Sequence, residues 1–154
     1  MAFSNLPEKN IVCVGNWLNN DYGKKLKKEY ENNKNIFLLD PIYDQKTLNQ
    51  FRSNCSLYVH GHSAGGTNPS LVEAMYLKLP IYAFGINYNR ETTANKAAYF
   101  NDANELVLVL KSHDQDSLNS IAKNMQTIAM EKYTWSSVSE KYSNLFSNES
   151  NTKK

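Results

Sequence analysis

The stretch LYVHGHSAGGTNPSLVEAMYLKLPIYAF, Leu57 to Phe84, constrains the fold of this chain more than any other. An apolar run (Leu57, Tyr58, Val59) empties into a turn holding Gly61, Gly65 and Gly66, and a second apolar run, Ile81 to Phe84, follows Pro80. Between them Asn68 is placed to cap a helix that opens on Pro69. Proline's missing N–H costs nothing at the first helical position, and an asparagine oxygen accepts from an orphan amide. Strand, glycine turn, helix, strand is the repeating unit of an open α/β sheet. A turn that leads from a strand's carboxyl end into a helix N-terminus is where such sheets bind anionic ligands.

The remainder alternates in the same way. IVCVG, Ile11 to Gly15, reads as a strand covered on both faces, Ile36 to Asp40 as the next, Cys55 to Val59 as the third, Ile81 to Phe84 as the fourth and Ala97 to Phe100 as a short fifth. Helices are expected from an Asn19-Asn20-Asp21 cap to about Asn32, from Asp44 to Ser53, from Asp102 to Leu110, from Ser117 to Lys132 and from Thr134 to Phe146. The opening residues read as a helix end at Ala2-Phe3 and a turn at Asn5-Leu6-Pro7, and Asn87 to Lys96 as irregular or briefly helical. The fold class is α/β, a Rossmann-like parallel sheet with helices on both faces.

With 154 residues, 41% of them hydrophobic, the chain suits one domain over 1–148 with a disordered polar tail over 149–154. A net charge of +2 points to no nucleic-acid partner. Lys24, Lys25, Lys27 and Lys28 flank Tyr22, Leu26 and Tyr30 at helical spacing, so they read first as a solvated helix face and second as a phosphate- or membrane-facing patch. Cys13 and Cys55, set in apolar runs, read as buried thiols in a reducing compartment. No apolar run approaches the ~20 residues of a membrane span, so a cytoplasmic location is expected.

The glycine turn admits several chemistries. Gly61-His62-Ser63-Ala64-Gly65 matches the nucleophile elbow of a serine hydrolase. An elbow starts its helix at once, however, which would put Pro69 in the helix interior at a cost of ~3 kcal/mol. The acid and histidine of a triad would have to be Asp102 and His113, on either side of one expected helix. His60 and His62, two apart, can face the same way but do not make a metal site, and no acidic or cysteine cluster adjoins them. Glu73 is the carboxylate to single out. It is placed either to meet a ligand hydroxyl near the helix start or, with Ser70, to form a capping box.

At these residues the chain resembles the C-terminal, donor-binding half of GT-B retaining glycosyltransferases. Asn68-Pro69-Ser70-Leu71-Val72-Glu73-Ala74-Met75 with Leu79-Pro80-Ile81 looks like that family's Pro-x-x-x-Glu-Ala-Met…Pro-Ile segment. HGHSAGGTNPSLVEAM with Asn89-Arg90-Glu91 is similar to bacterial rhamnosyltransferases of capsular and surface polysaccharide synthesis, which use a dTDP-sugar. Gly15-Asn16-Trp17, Asp40 to Asp44 and Tyr133-Thr134-Trp135 extend the likeness.

The resemblance implies one half of a GT-B architecture, binding a nucleotide sugar such as a dTDP-, UDP- or GDP-sugar without a metal. It implies that Glu73 holds the ribose hydroxyl and that amides around Gly66, Thr67, Ser70 and Leu71 face the diphosphate. Asn68 and Gly65 complete the turn, with His62 or Ser63 near the sugar and Ile42 and Tyr43 near the base. The family's second glutamate, eight positions before Glu73, is Gly65 here. The implied partners are the donor, a glycan or lipid-linked acceptor, and an N-terminal acceptor domain in a longer parent protein, cytoplasmic or peripheral at the inner face of the membrane. The chain alone is expected to be inactive. A non-catalytic nucleotide-binding module is the second reading, and a hydrolase using Ser63 the third.

Overall fold

The computed structural model describes residues 1–112 and 114–150, with side chains through 146. The chain divides into two compact units, one of residues 1–54 and 100–112, the other of residues 55–99 and 114–150. Among the described residues the strands hydrogen-bond within two small sheets, in the orders β1-β2 and β3-β4-β5.

In the first unit β1 (Ile11–Val14) pairs in parallel with β2 (Ile36–Leu39), with Ile11 opposite Ile36 and Val14 opposite Leu39. Between them runs α1 (Asp21–Tyr30), whose start is held by the Asn20 side chain accepting from the Gly23 amide at 2.8 Å. Gly23 is required there: a Cβ would stand 2.4 Å from the Trp17 carbonyl oxygen. Trp17 in turn donates its indole N–H to the Leu39 carbonyl at 2.7 Å, tying the β1–α1 loop to β2. α2 (Gln45–Ser53) follows, capped by Asp44, which accepts from the Thr47 amide at 2.7 Å. The chain opens on a 3-10 turn, Ala2–Asn5, which packs against α5 (Ala103–Ser112). Ala2, Phe3, Leu6, Tyr30, Ile36, Leu106 and Leu110 are buried in this unit.

Two expectations fail here. β1 is covered on one side only, since Val12 and Val14 are 45% and 36% exposed while Ile11 and Cys13 are half-buried. Valine's β-branching favours the strand whether or not its face is covered, so an all-apolar run does not prove two-sided burial. The cysteines form no disulfide, as expected, but are not buried: Cys13 is half-exposed on β1, and Cys55 is exposed because it precedes its strand rather than belonging to it.

The second unit is built on β3 (Tyr58–His60), parallel to β4 (Ile81–Phe84) with Tyr58 opposite Ile81 and His60 opposite Ala83, and on β5 (Ala98–Phe100) beyond β4. α3 (Pro69–Tyr76) connects β3 to β4, and α4 (Asn87–Thr92) connects β4 to β5. α6 (Gln115–Lys132) packs on α3, and α7 (Trp135–Ser150) follows it. Leu71, Ala74 and Met75 of α3, Ile81 and Ala83 of β4, and Met125, Ile128 and Ala129 of α6 form one core cluster. Burying a side chain the size of Leu71, Met75, Ile81 or Met125 contributes about 1.5–3 kcal/mol each. That cluster fixes the axis of α3, and with it the turn in front of α3. Residues 151–154 of the expected tail lie outside the described residues.

Candidate functional site

The turn between β3 and α3 is anchored at both ends and open in the middle. β3 ends at His60, which is buried, while Gly61 to Thr67 are exposed. Gly65 takes φ +97°, a conformation other residues rarely adopt, and a Cβ on Gly61, Gly65 or Gly66 would meet only open space. α3 then starts on Pro69 with Asn68 as its cap, as the sequence predicts: Asn68 Oδ1 accepts from the Ser70 amide at 2.9 Å. The Asn68 carbonyl accepts from the amides of Leu71 at 3.1 Å and Val72 at 3.2 Å. An anion reaching the Ser70 amide therefore takes over the place of the Asn68 side-chain oxygen.

This helix start decides one question about Glu73. Because Asn68 is the cap, Ser70 is already the second helical residue, so Ser70 and Glu73 do not stand at capping-box positions. Glu73 is a half-buried side chain in the second turn of α3. The same start removes the elbow reading of Ser63, which lies in the exposed turn well before Pro69. Asp102, the acid that reading needed, precedes α5 in the first unit, and His113 lies outside the described residues.

The two histidines do face the same way. The rings of His60 and His62 stack with centroids 5.7 Å apart and planes inclined by 22°, and Tyr58 stacks on the other side of His60 at 6.0 Å. Burial, and secondarily the neighbouring His62, pulls the His60 pKa down to about 4, so His60 is neutral at pH 7. Its Nε2 is buried with no hydrogen-bond partner. Among the described residues no group of three His, Cys, Asp or Glu side chains is arranged to hold a metal ion.

Asn89, on α4, is the contributor whose role the sequence did not reveal. Its buried side chain donates both amide hydrogens, to the His62 carbonyl at 3.0 Å and to the Phe84 carbonyl at 2.9 Å. The helix that carries it is braced in turn. Arg90 donates to the Gly85 carbonyl at 3.1 Å and lies over the Tyr99 ring at 4.1 Å, Thr93 and Tyr99 share a hydroxyl hydrogen bond of 2.5 Å, and Tyr133 donates to the Thr92 carbonyl at 3.0 Å. Asn89 was visible in the sequence only as part of the Asn89-Arg90-Glu91 likeness, because a bond between residues 27 apart leaves no periodic trace.

The structure thus gathers His62, Ser63, Gly65, Gly66, Thr67, Asn68, Ser70, Leu71 and Glu73 onto one turn and helix of the second unit. Leu71 is fully buried in the core and its amide already donates to the Asn68 carbonyl, so a ligand can reach it only by sharing or replacing that bond. Ile42 and Tyr43 lie in the first unit, between β2 and α2; Ile42 is half-buried and Tyr43 is 88% exposed. The basic run on α1 is partly neutralised, Lys27 pairing with Asp40 at 2.6 Å and Lys24 with Asp21 at 3.3 Å. A shallow depression there is lined by Leu18, Lys24, Lys27, Lys28 and Glu31.

Comparison with known proteins bears on the fold and the family of the chain. The chain matches the solved structure of Anabaena Alr3699/HepE in complex with UDP-glucose with a TM-score of 0.78 at 19% identity, over 96% of this chain and 44% of that one. It matches the GtfA/B complex with a TM-score of 0.71 at 21% identity, and the pneumococcal O-GlcNAc transferase GtfA in complex with UDP and GlcNAc with 0.68 at 16%. Each of those two matches covers 96% of this chain and 31% of the other, so the chain spans less than half the length of all three. No curated protein sequence matches. At such identities the structures establish the fold, α/β with parallel strand pairs. The family model for glycosyl transferases group 1 matches residues 1–126. The chain belongs to the group 1 glycosyl transferases.

Proposed function

We propose that this chain binds the nucleotide-sugar donor of a GT-B glycosyltransferase, with the β3–α3 turn holding the diphosphate and Glu73 the ribose hydroxyl. The observation that carries the reading is the start of α3. An exposed glycine turn, with Gly65 at positive φ, delivers the chain to a proline-initiated helix, and that helix carries Glu73 in its second turn, outside any capping box. Family membership supplies the ligand class. The positive end of α3 and the amides of Gly66, Thr67, Ser70 and Leu71 suit a diphosphate, with His62 or Ser63 toward the sugar. Ile42 and Tyr43 are the proposed base contacts, to be tested by their own substitutions.

The reaction is transfer of a hexosyl or deoxyhexosyl group, rhamnosyl on the likeness of HGHSAGGTNPSLVEAM, to a hydroxyl of a polysaccharide or lipid-linked acceptor. The glycosidic bond to the diphosphate breaks as the bond to the acceptor oxygen forms. The helix end stabilises the negative charge that collects on the departing nucleotide diphosphate. The solved HepE complexes hold UDP-glucose and UDP, so a UDP-sugar stands beside a dTDP- or GDP-sugar as the donor to test. The acceptor site belongs to a further domain of a parent protein, in the cytoplasm or at the inner face of the membrane, and the chain by itself binds without transferring.

Calorimetry with dTDP, UDP and GDP is the test. Micromolar-to-millimolar binding of at least one is expected, and no affinity for any of them, in the chain and in the intact parent, overturns the reading. A non-catalytic nucleotide-binding module is the second reading. It would bind equally well but leave every nucleotide sugar intact in the parent enzyme.

A further inference from the structure

We infer that Asn89 is a positioning residue for the donor site, fixing the glycine turn from the β4–α4 side; this rests on the donor-binding reading of that turn. His62 is exposed yet held at two points. Its carbonyl accepts from Asn89 Nδ2 at 3.0 Å, and its ring stacks on His60 at 5.7 Å. Beyond His62 the turn is exposed through Thr67. One side-chain amide therefore ties the entrance of the turn to the end of β4, through Phe84, and to α4.

The amide is suited to this task. An asparagine Nδ2 carries two hydrogens and here spends both on backbone carbonyls, and Asn89 itself is only 2% exposed. Replacing it with alanine leaves two carbonyls without their donor and frees the turn. Replacing it with aspartate keeps the volume but turns acceptor oxygens toward carbonyl oxygens. A ligand that needs the turn's amides in register then has to order them on binding, which lowers its affinity.

The test compares three forms of the full chain by calorimetry with UDP, dTDP and GDP: wild type, Asn89→Ala and Tyr133→Phe. Tyr133→Phe removes the hydrogen bond to the Thr92 carbonyl, loosening α4 at a point away from the turn. Asn89→Ala is expected to weaken nucleotide binding by about tenfold or more, well below its melting temperature, while Tyr133→Phe changes it less than about twofold. Amide exchange over residues 61–67 rises in Asn89→Ala alone. Equal affinity in Asn89→Ala and wild type overturns the inference and leaves the donor-binding reading standing. An equal loss in Tyr133→Phe overturns it too, because general loosening of α4 would then suffice. Absence of binding by wild type, in the chain and in the intact parent, overturns the donor-binding reading and this inference with it. Should Asn89→Ala fail to fold, Asn89→Ser, which keeps one hydroxyl donor and adds no buried charge, answers the same question.

Discussion

Glu73 and His60 stand thirteen residues apart on either side of the turn, and their environments set different tasks. Glu73 is half-buried on α3, and its spacing from Ser70 loses its capping meaning once Asn68 takes the cap. A carboxylate hydrogen bond to a ligand hydroxyl is worth about 1.5–3 kcal/mol, so Glu73→Gln is expected to weaken nucleotide binding by about tenfold or more and to change the unfolding free energy by less than the binding free energy. Calorimetry and urea unfolding measure the two sides, and a large stability loss with unchanged binding would return Glu73 to a structural role. His60 makes a prediction about pH instead. Its pKa is about 4 folded against 6.5 unfolded, so the unfolded chain takes up the proton first. The stability tied to neutral His60 is therefore complete above about pH 6.5 and is lost as pH falls toward 4, by an amount on the order of 2 kcal/mol. Tyr58 and His62 are the rings it faces. Carboxylates titrate in the same window, so the measurement is the difference between wild type and His60→Phe in urea midpoints at pH 4.5 and 7. A flatter profile in the variant is expected, and parallel profiles sink the assignment.

Elements in this chain are held by single polar side chains as much as by cores, and the opening segment is the clearest case. Buried Asn35 spreads its two amide hydrogens over the carbonyls of Phe3, Leu6 and Lys9, at 2.9, 3.0 and 3.0 Å, where residues 1–9 approach the start of β2. Asn35→Ala is expected to cost about 2–4 kcal/mol and to speed tryptic cleavage after Lys9, read by denaturant unfolding and timed proteolysis; an unchanged cleavage rate would show that the 3-10 turn holds on its packing alone. Such ties explain what was legible in the sequence and what was not. The start of α3 was legible, because Asn68-Pro69 carries its own local chemistry, and so was the core stripe of α6, where Met125, Ile128 and Ala129 recur at helical period. The first edge of β3 was not: Cys55 and Leu57 share its apolar run, but the strand begins at Tyr58, whose amide meets the Pro80 carbonyl at 2.9 Å. Period alone also fails to say what covers a face. α7 carries the stripe Trp135, Val138, Tyr142, Leu145 and Phe146 as expected, with all but the half-buried Val138 exposed, Trp135 by 90%. Within the candidate site, the helix that holds Glu73 could be read from local residues, whereas the Asn89 bond to His62 depends on the folded path of β4.

For the molecule as a whole, near-balanced charge and a backbone-lined turn together make a prediction about which ligands stabilise it and what they need. The net charge of +2 gives little long-range attraction for anions in general, so discrimination has to come from the turn. A ligand that binds only the folded state adds about 2.7 kcal/mol at a hundred times its Kd, which for a chain of this size raises Tm by about 5–10 °C. If amides and the α3 dipole hold the diphosphate, UDP, dTDP or GDP is expected to raise Tm more than the matching nucleoside at equal concentration. Equal shifts from nucleoside and diphosphate would remove the diphosphate from the turn and leave only base or ribose recognition. The same condition makes a second prediction, that the shift is insensitive to chelation. Backbone donors can neutralise phosphate without a bridging cation. Adding EDTA to the nucleotide-bound chain is therefore expected to leave the Tm shift unchanged within about 1 °C. Loss of the shift on chelation, restored by magnesium or manganese, would mean that the diphosphate is bridged by a cation and that the helix end is not its principal counter-charge.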